Sequence, residues 1–555
     1  MKAKYFLSLF SLLLAFNLMI SQEQGIGGGT YTMGSIYTPN VKNATKISEL
    51  PEIVDSISKP EKMNYSIVSK PFLSPKETDK IEAAKMINEP LSKVYKSLLK
   101  AGFGNYMTPY AEFYLNSGRT KEETFGFRVK HFSSSPIAKE NKFMGFSDNE
   151  ASLYGKKFYK KHTLTGDVNF TRNAVNQYGF ATETFSGEKN NFLKQRFNLI
   201  EGKVNLLSHF SDTNKTNYDL RLNYYNLSDI NSTFENNIQA EQLFQLPING
   251  ETLKIQLSND FYNVKSKTDT LNNYILKLNP YFEAKGEKWK ADIGVNVAVD
   301  KFTEQQAKFY FFPRLNLFYN VYEDMIVPYL GLGGDLQKNS FRSLSSANPF
   351  LISDPEYKNT YNSYLAFVGL RGSLSKNTHY DAKVSQGKYL NMPLFLLNYD
   401  DVLNNKFKVI YDTLKLLQIS GQIKYQLRDK ITFLGKGNYY HYSTQNEKYA
   451  WHRPNFDLTL SGHYNLKSKM IAKADFFFIG NQWTLQEKIV DGVTKKESKI
   501  LKGIADINLG FEYRYSKMLS FFANFNNIAN MKYYRWDQYP TQRFNCMLGI
   551  TFVPF

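Results

Sequence analysis

The chain has 555 residues and a formal net charge of +18, from 69 Lys and Arg against 51 Asp and Glu, and 16% of its residues are aromatic. A single cysteine, Cys546, excludes an internal disulfide, so ladders and packing must hold the fold. Beyond the N-terminal segment no run of 18 apolar residues occurs, which excludes a helical membrane span there.

The chain starts "MKAKYFLSLFSLLLAFNLMISQEQ". Lys2 and Lys4 form a positive region, Tyr5 to Ile20 an apolar one, and Ser21 a small residue before Gln22. This is the pattern of a cleaved secretory signal over residues 1–21. Without Lys2 and Lys4, 67 basic residues face 51 acidic ones, an excess that suggests anionic partners. Export argues against nucleic acid as one of them. Residues 22–98 read as an extended leader, because Pro39, Pro51, Pro60, Pro71, Pro75 and Pro90 break any ladder. One short helix is expected at 78–87, "TDKIEAAKMI", capped by Thr78 or Asp79. The leader is either a flexible periplasmic segment or one that enters the lumen or docks on a partner.

From about residue 99 to 555 the pattern is strands. Short polar turns stand at 211–217, 248–250, 285–288, 322–324, 375–378, 428–430, 467–469 and 516–518, the first four about 37 residues apart. Between them lie longer polar segments such as 343–360 and 484–498. Tight turns alternating with long loops are the asymmetry of an outer-membrane barrel.

The strand faces point the same way. In 218–225, Tyr218, Leu220, Leu222 and Tyr224 alternate with Asp219, Arg221, Asn223 and Tyr225. In 288–300, Trp289, Ala291, Ile293, Val295, Val297 and Val299 alternate with Lys290, Asp292, Gly294, Asn296, Ala298 and Asp300. The same two-residue period runs through 456–465 and 505–516. These strands exceed the usual five or six residues of a soluble sheet and match a tilted membrane strand. In lipid every backbone group must be paired, so the sheet has to close. The expectation is an all-β, closed antiparallel transmembrane barrel of about 20 strands, within a range of 18–22. Its apolar faces meet lipid and lipopolysaccharide in a Gram-negative outer membrane.

The C-terminal run "NNIANMKYYRWDQYPTQRFNCMLGITFVPF" carries a more specific likeness. Asn527, Ile528, Asn530 and Tyr533, followed by a closing strand and Phe555, resemble the last hairpin of TonB-dependent-receptor-type barrels, particularly those of Bacteroidota. The ending departs from that pattern at Val553-Pro554-Phe555: either Leu548, Ile550 and Phe552 form the lipid face with Phe555 just beyond, or the register shifts at Pro554. The resemblance implies recognition of this strand by the barrel-assembly machinery. The 77 residues of the leader lack the family's plug and TonB box, so the implied relative is plugless and energised uptake does not carry over.

Chemistry is sparse. The seven histidines show no metal spacing, and no cofactor motif appears. His441, Ser443 and His452 are the nearest approach to a hydrolase site, a remote reading. "GIGGGT" at 25–30 lacks the lysine of a phosphate loop. No catalytic, cofactor or metal residue is therefore assigned. Two non-enzymatic functions are left. One is a subunit of an outer-membrane machine for export, surface display or barrel assembly, bound to other outer-membrane proteins or lipoproteins. The alternative is a passive or gated solute channel, with an anion bias set by Arg221, Lys290 and Arg514.

Overall fold

The computed structural model describes residues 95–554, apart from 119, 136–142, 181–193, 213, 402, 429, 468 and 491–492. The signal segment, the leader up to residue 94 with its helix at 78–87, and Phe555 lie outside the described residues, while Ser97 and Leu98 at the end of the leader as read already belong to the first strand.

Twenty-two strands form one closed antiparallel barrel. Closure is made by Ser97–Gly104, which pairs with Thr108–Asn116 on one side and with Asn545–Phe552 on the other. The alternation read from sequence sets the two faces. Leu222 (51% exposed), Trp289 (45%) and Phe511 (45%) stand outward, as a lipid face requires. Leu548, Ile550 and Phe552 do the same on the closing strand. The intervening polar residues face the lumen.

All eight tight turns read from sequence join strands at one end of the barrel, together with both ends of the ladder. The long connections lie at the other end. Two strands, Thr378–Leu397 (20 residues) and Phe407–Leu427 (21 residues), exceed what a bilayer needs and carry the wall beyond it on the loop side.

The count of about 20 falls two short, and the shortfall lies at the start. Five strands, not three, occupy residues 97–176: Ser97–Gly104, Thr108–Asn116, Glu123–Ser134, Phe146–Phe158 and His162–Asn176. The first two are only 8 and 9 residues long. Their connection places Tyr106 and Met107 at φ 59° and 49°, so the left-handed positions fall on residues that do not mark such turns, one place after Gly104-Asn105.

Candidate transport site: the lumen and its closed mouth

Charged residues of the inner wall neutralise one another. Glu112, Arg128, Glu150 and Lys130 form a chain with N–O distances of 2.9, 2.8 and 3.0 Å. Glu283 receives Lys254 at 2.9 Å and Lys290 at 2.8 Å. Arg221 lies 2.5 Å from Asp219, and Arg514 lies 3.2 Å from Glu512. Of the three cations expected to favour anions, Arg221 and Arg514 each meet a carboxylate on their own strand, while Lys290 shares Glu283 with Lys254 and Lys285.

The loop-side mouth is filled by the barrel's own connections. Residues 338–359 carry the helix α1, Phe341–Ala347, started by a capping box of Ser340 and Ser343. Phe341 and Leu344 drop into a core with Phe197, Tyr225 and Leu227 from one part of the wall. The same core includes Phe395, Leu397, Phe407 and Val409 from strands on nearly the opposite side of the ring. Arg342 anchors the helix to Glu201 at 2.9 Å and lies 4.3 Å from the Tyr225 ring centroid. Beyond the helix, Ile352 N donates to Phe407 O and Phe407 N to Phe350 O, both at 2.9 Å.

A second connection, 527–544, seals this plate. Tyr539 stacks on Phe350 at 3.7 Å between centroids and meets Tyr178 edge-on at 4.9 Å. Its hydroxyl donates to Asn405 O, and Asn405 Nδ2 donates to Gln177 O at 2.5 Å. Trp536 packs on Phe395, Phe407 and His452. The His452 Nδ1 lies 2.8 Å from Phe395 O, and its Nε2 accepts from Asp537 N at 3.4 Å. That leaves the proton on Nδ1 and the ring neutral; burial pushes its pKa down to about 4. The buried Asp537 carboxylate is met by Lys499 at 2.9 Å and Gln486 at 3.1 Å.

Beside the plate is a cavity of about 490 Å³, lined among others by Phe132, Asp148, Tyr178, Asp506, Tyr533 and Arg543. Its size suits a small ligand, which typically occupies roughly 300–1,000 Å³. Aromatic faces, amides, two carboxylates and a guanidinium converge there.

The hydrolase residues are not brought together. His441 is exposed, while His452 is buried with both ring nitrogens engaged by backbone groups. Among the described residues no three His, Cys, Asp or Glu side chains form a metal-binding group. Sequence reading missed the mouth entirely. Its signal lay in apolar residues of the connections: Phe350 and Leu351 in the segment taken as polar at 343–360, and Trp536 and Tyr539 in the run read as the last hairpin.

No protein-family model and no curated protein matches the sequence. Solved structures do match. The ferric-catecholate import receptor Fiu from E. coli K12 aligns with a TM-score of 0.62 at 9% identity, over 83% of this chain and 82% of that one. The pyoverdine outer membrane receptor FpvA from Pseudomonas aeruginosa aligns at 0.61 and 12%, over 84% and 79%. The FrpB iron transporter from Neisseria meningitidis aligns at 0.63 and 9%, over 83% and 82%. These neighbours are an import receptor, an outer membrane receptor and an iron transporter, which overturns the expectation of a machine subunit and accords better with the channel alternative. At such identity the likeness concerns the fold: a closed 22-stranded barrel of the kind found in TonB-dependent outer-membrane receptors.

Proposed function

We propose that the protein is a gated solute transporter of a Gram-negative outer membrane, closed at rest by its own loops. The observation that carries this reading is the plate of Phe341, Phe350, Phe407 and Tyr539, which joins nearly opposite walls across the mouth. A 22-stranded barrel encloses a lumen too wide for wall side chains to fill, and comparable transporters hold a plug there. Here loops supply apolar packing at the mouth, which supports the plugless reading. The Bacteroidota origin rests on the C-terminal resemblance alone. The 490 Å³ cavity beside Tyr533 and Arg543 is the first resting place of the solute once the plate parts.

The purified barrel in a planar bilayer should be nearly silent. Replacing residues 340–353 by a short Gly/Ser link should produce large, stable conductance. Equal conductance before and after the replacement, or silence in both, would refute gating by this plate.

A further inference from the structure

The barrel wall is incomplete between Lys308–Tyr319 and Val327–Gln337. Lys308–Tyr319 pairs along its length with Trp289–Phe302, but meets Val327–Gln337 only from Leu315↔Leu332 to Phe318↔Tyr329. Among the described residues, Lys308–Arg314 has no second ladder partner. The register of Val327–Gln337 against Thr360–Ser375 shifts between Gly333 and Asp335. From there the strand leans into the lumen while still paired as Asp335↔Asn362, Leu336↔Tyr361 and Gln337↔Thr360. Lys277 Nζ donates to Asp335 Oδ1 at 2.6 Å, and Asn296 Nδ2 to Gly334 O at 3.3 Å. Leu336 is fully buried against Ile275, Ala298 and Phe312.

This position conflicts with the strand's own pattern. In "VPYLGLGGDLQ", Leu330, Leu332 and Leu336 share one face, and Gly331, Gly333, Asp335 and Gln337 the other. That is a wall strand with a lipid face and a lumen face throughout. Turning inward instead buries Leu336 in the lumen and leaves Phe309 and Phe311 bare, 76% and 64% exposed. In this position Asn296 Oδ1, Arg314 Nε and Gln337 Oε1 are buried without partners. Each such orphan is unfavourable, and an unpaired ladder edge in lipid is more so.

We infer that Gly333–Gln337 is a hinged wall segment that exchanges between this inward position and a wall position zipped onto Lys308–Arg314. Continuing the register of Leu315↔Leu332 sets Phe311 opposite Leu336, Phe312 opposite Asp335 and Tyr310 opposite Gln337. In that state Leu336 joins the lipid face beside Phe311, and Asp335 and Gln337 face the lumen. The ladder edge is paired, and Asn296 is uncovered. Gly333 and Gly334 form the hinge. A Cβ on Gly334 would meet Phe312 at 2.4 Å and Asn362 O at 2.6 Å, so the inward position requires glycine there. The inward state narrows the lumen, and the wall state widens it.

Paired cysteines in a Cys546→Ser background test the motion. Phe311→Cys with Leu336→Cys can bridge only in the wall position, because cross-strand partners come within disulfide reach. Leu317→Cys with Leu330→Cys, already register partners, is the control. Both pairs should give a reduction-sensitive mobility shift in vesicles, and the 311–336 bridge should raise conductance in a barrel whose mouth plate has been removed. A bridge only in the control overturns the hinge. A 311–336 bridge without a conductance change overturns its role in permeation and leaves the mouth gate untouched. Gly334→Val, which cannot take the inward position, should raise conductance as the bridge does; unchanged conductance again refutes the gate.

Discussion

Two side chains decide how tightly the mouth is held. His452 is neutral in the closed plate because burial and the Asp537 N–H at its Nε2 both oppose a second proton. Its pKa is lowered from 6.5 to about 4, so the closed plate binds the proton less readily than the opened one. The resulting stabilisation is complete above pH 6.5 and is lost as pH falls towards 4; it amounts to about 3 kcal/mol. Conductance is therefore expected to rise between pH 6.5 and 4, and a His452→Phe variant should lack that rise. A wild-type barrel equally silent across this range would rule out the histidine as part of the closure. Arg342 acts differently. Its removal leaves Glu201, whose side chain is only 7% exposed, with Lys203 as its one cation. Breaking a buried pair from one side costs roughly 3–5 kcal/mol. The half-buried guanidinium puts Arg342→Ala towards the low end. The variant should open more often than wild type in single-channel records, and Glu201→Gln with Arg342→Ala should recover part of the loss. No recovery would mean that packing on Tyr225, not charge, is what Arg342 provides.

At the scale of strands, the period of two was enough to assign faces, because the lipid side admits only apolar groups while the lumen tolerates both signs. Phe511→Asp or Val295→Lys should lower the yield of folded barrel, since a charge on the lipid face near the midplane costs roughly 2–4 kcal/mol. Asn508→Asp should be tolerated, because Asn508 Oδ1 only accepts a bond from Asn527 N. Equal yields on both faces would contradict the assignment. Loops were the opposite case. The segment 343–360 reads as polar by composition, yet Phe350, Leu351 and Tyr357 enter or pack against the mouth core. Periodicity is defined along a strand and says nothing about where an irregular segment packs, so three or four apolar residues among serines and asparagines leave no regular mark. The same limit hid the inward turn at Gly333. The alternation of Val327–Gln337 describes the wall position alone.

The whole molecule depends on one closing seam. Gly102 stands directly opposite Gly549 where the first and last strands meet. The Phe522 ring fills the space both glycines leave: added Cβ atoms would lie 2.9 and 2.2 Å from its Cζ. Lys100 covers the same ring from 4.4 Å. The aromatic shields a glycine pair whose flexibility would otherwise weaken the ladder. At Gly549 the added carbon would also come 2.3 Å from Ala101 O, a backbone atom that cannot move without parting the two strands. Gly549→Val should therefore prevent closure and abolish the compact, heat-modifiable band that a sealed barrel gives on unboiled gels. Gly421→Val, where nothing lies within 4 Å, should keep that band. Phe522→Ala should fold but unfold at lower temperature, because it uncovers the glycine pair without obstructing it. A closed, fully heat-modifiable Gly549→Val barrel would show that the seam is not packed as described, and that the ladder can shift its register to accommodate a side chain at its last joint.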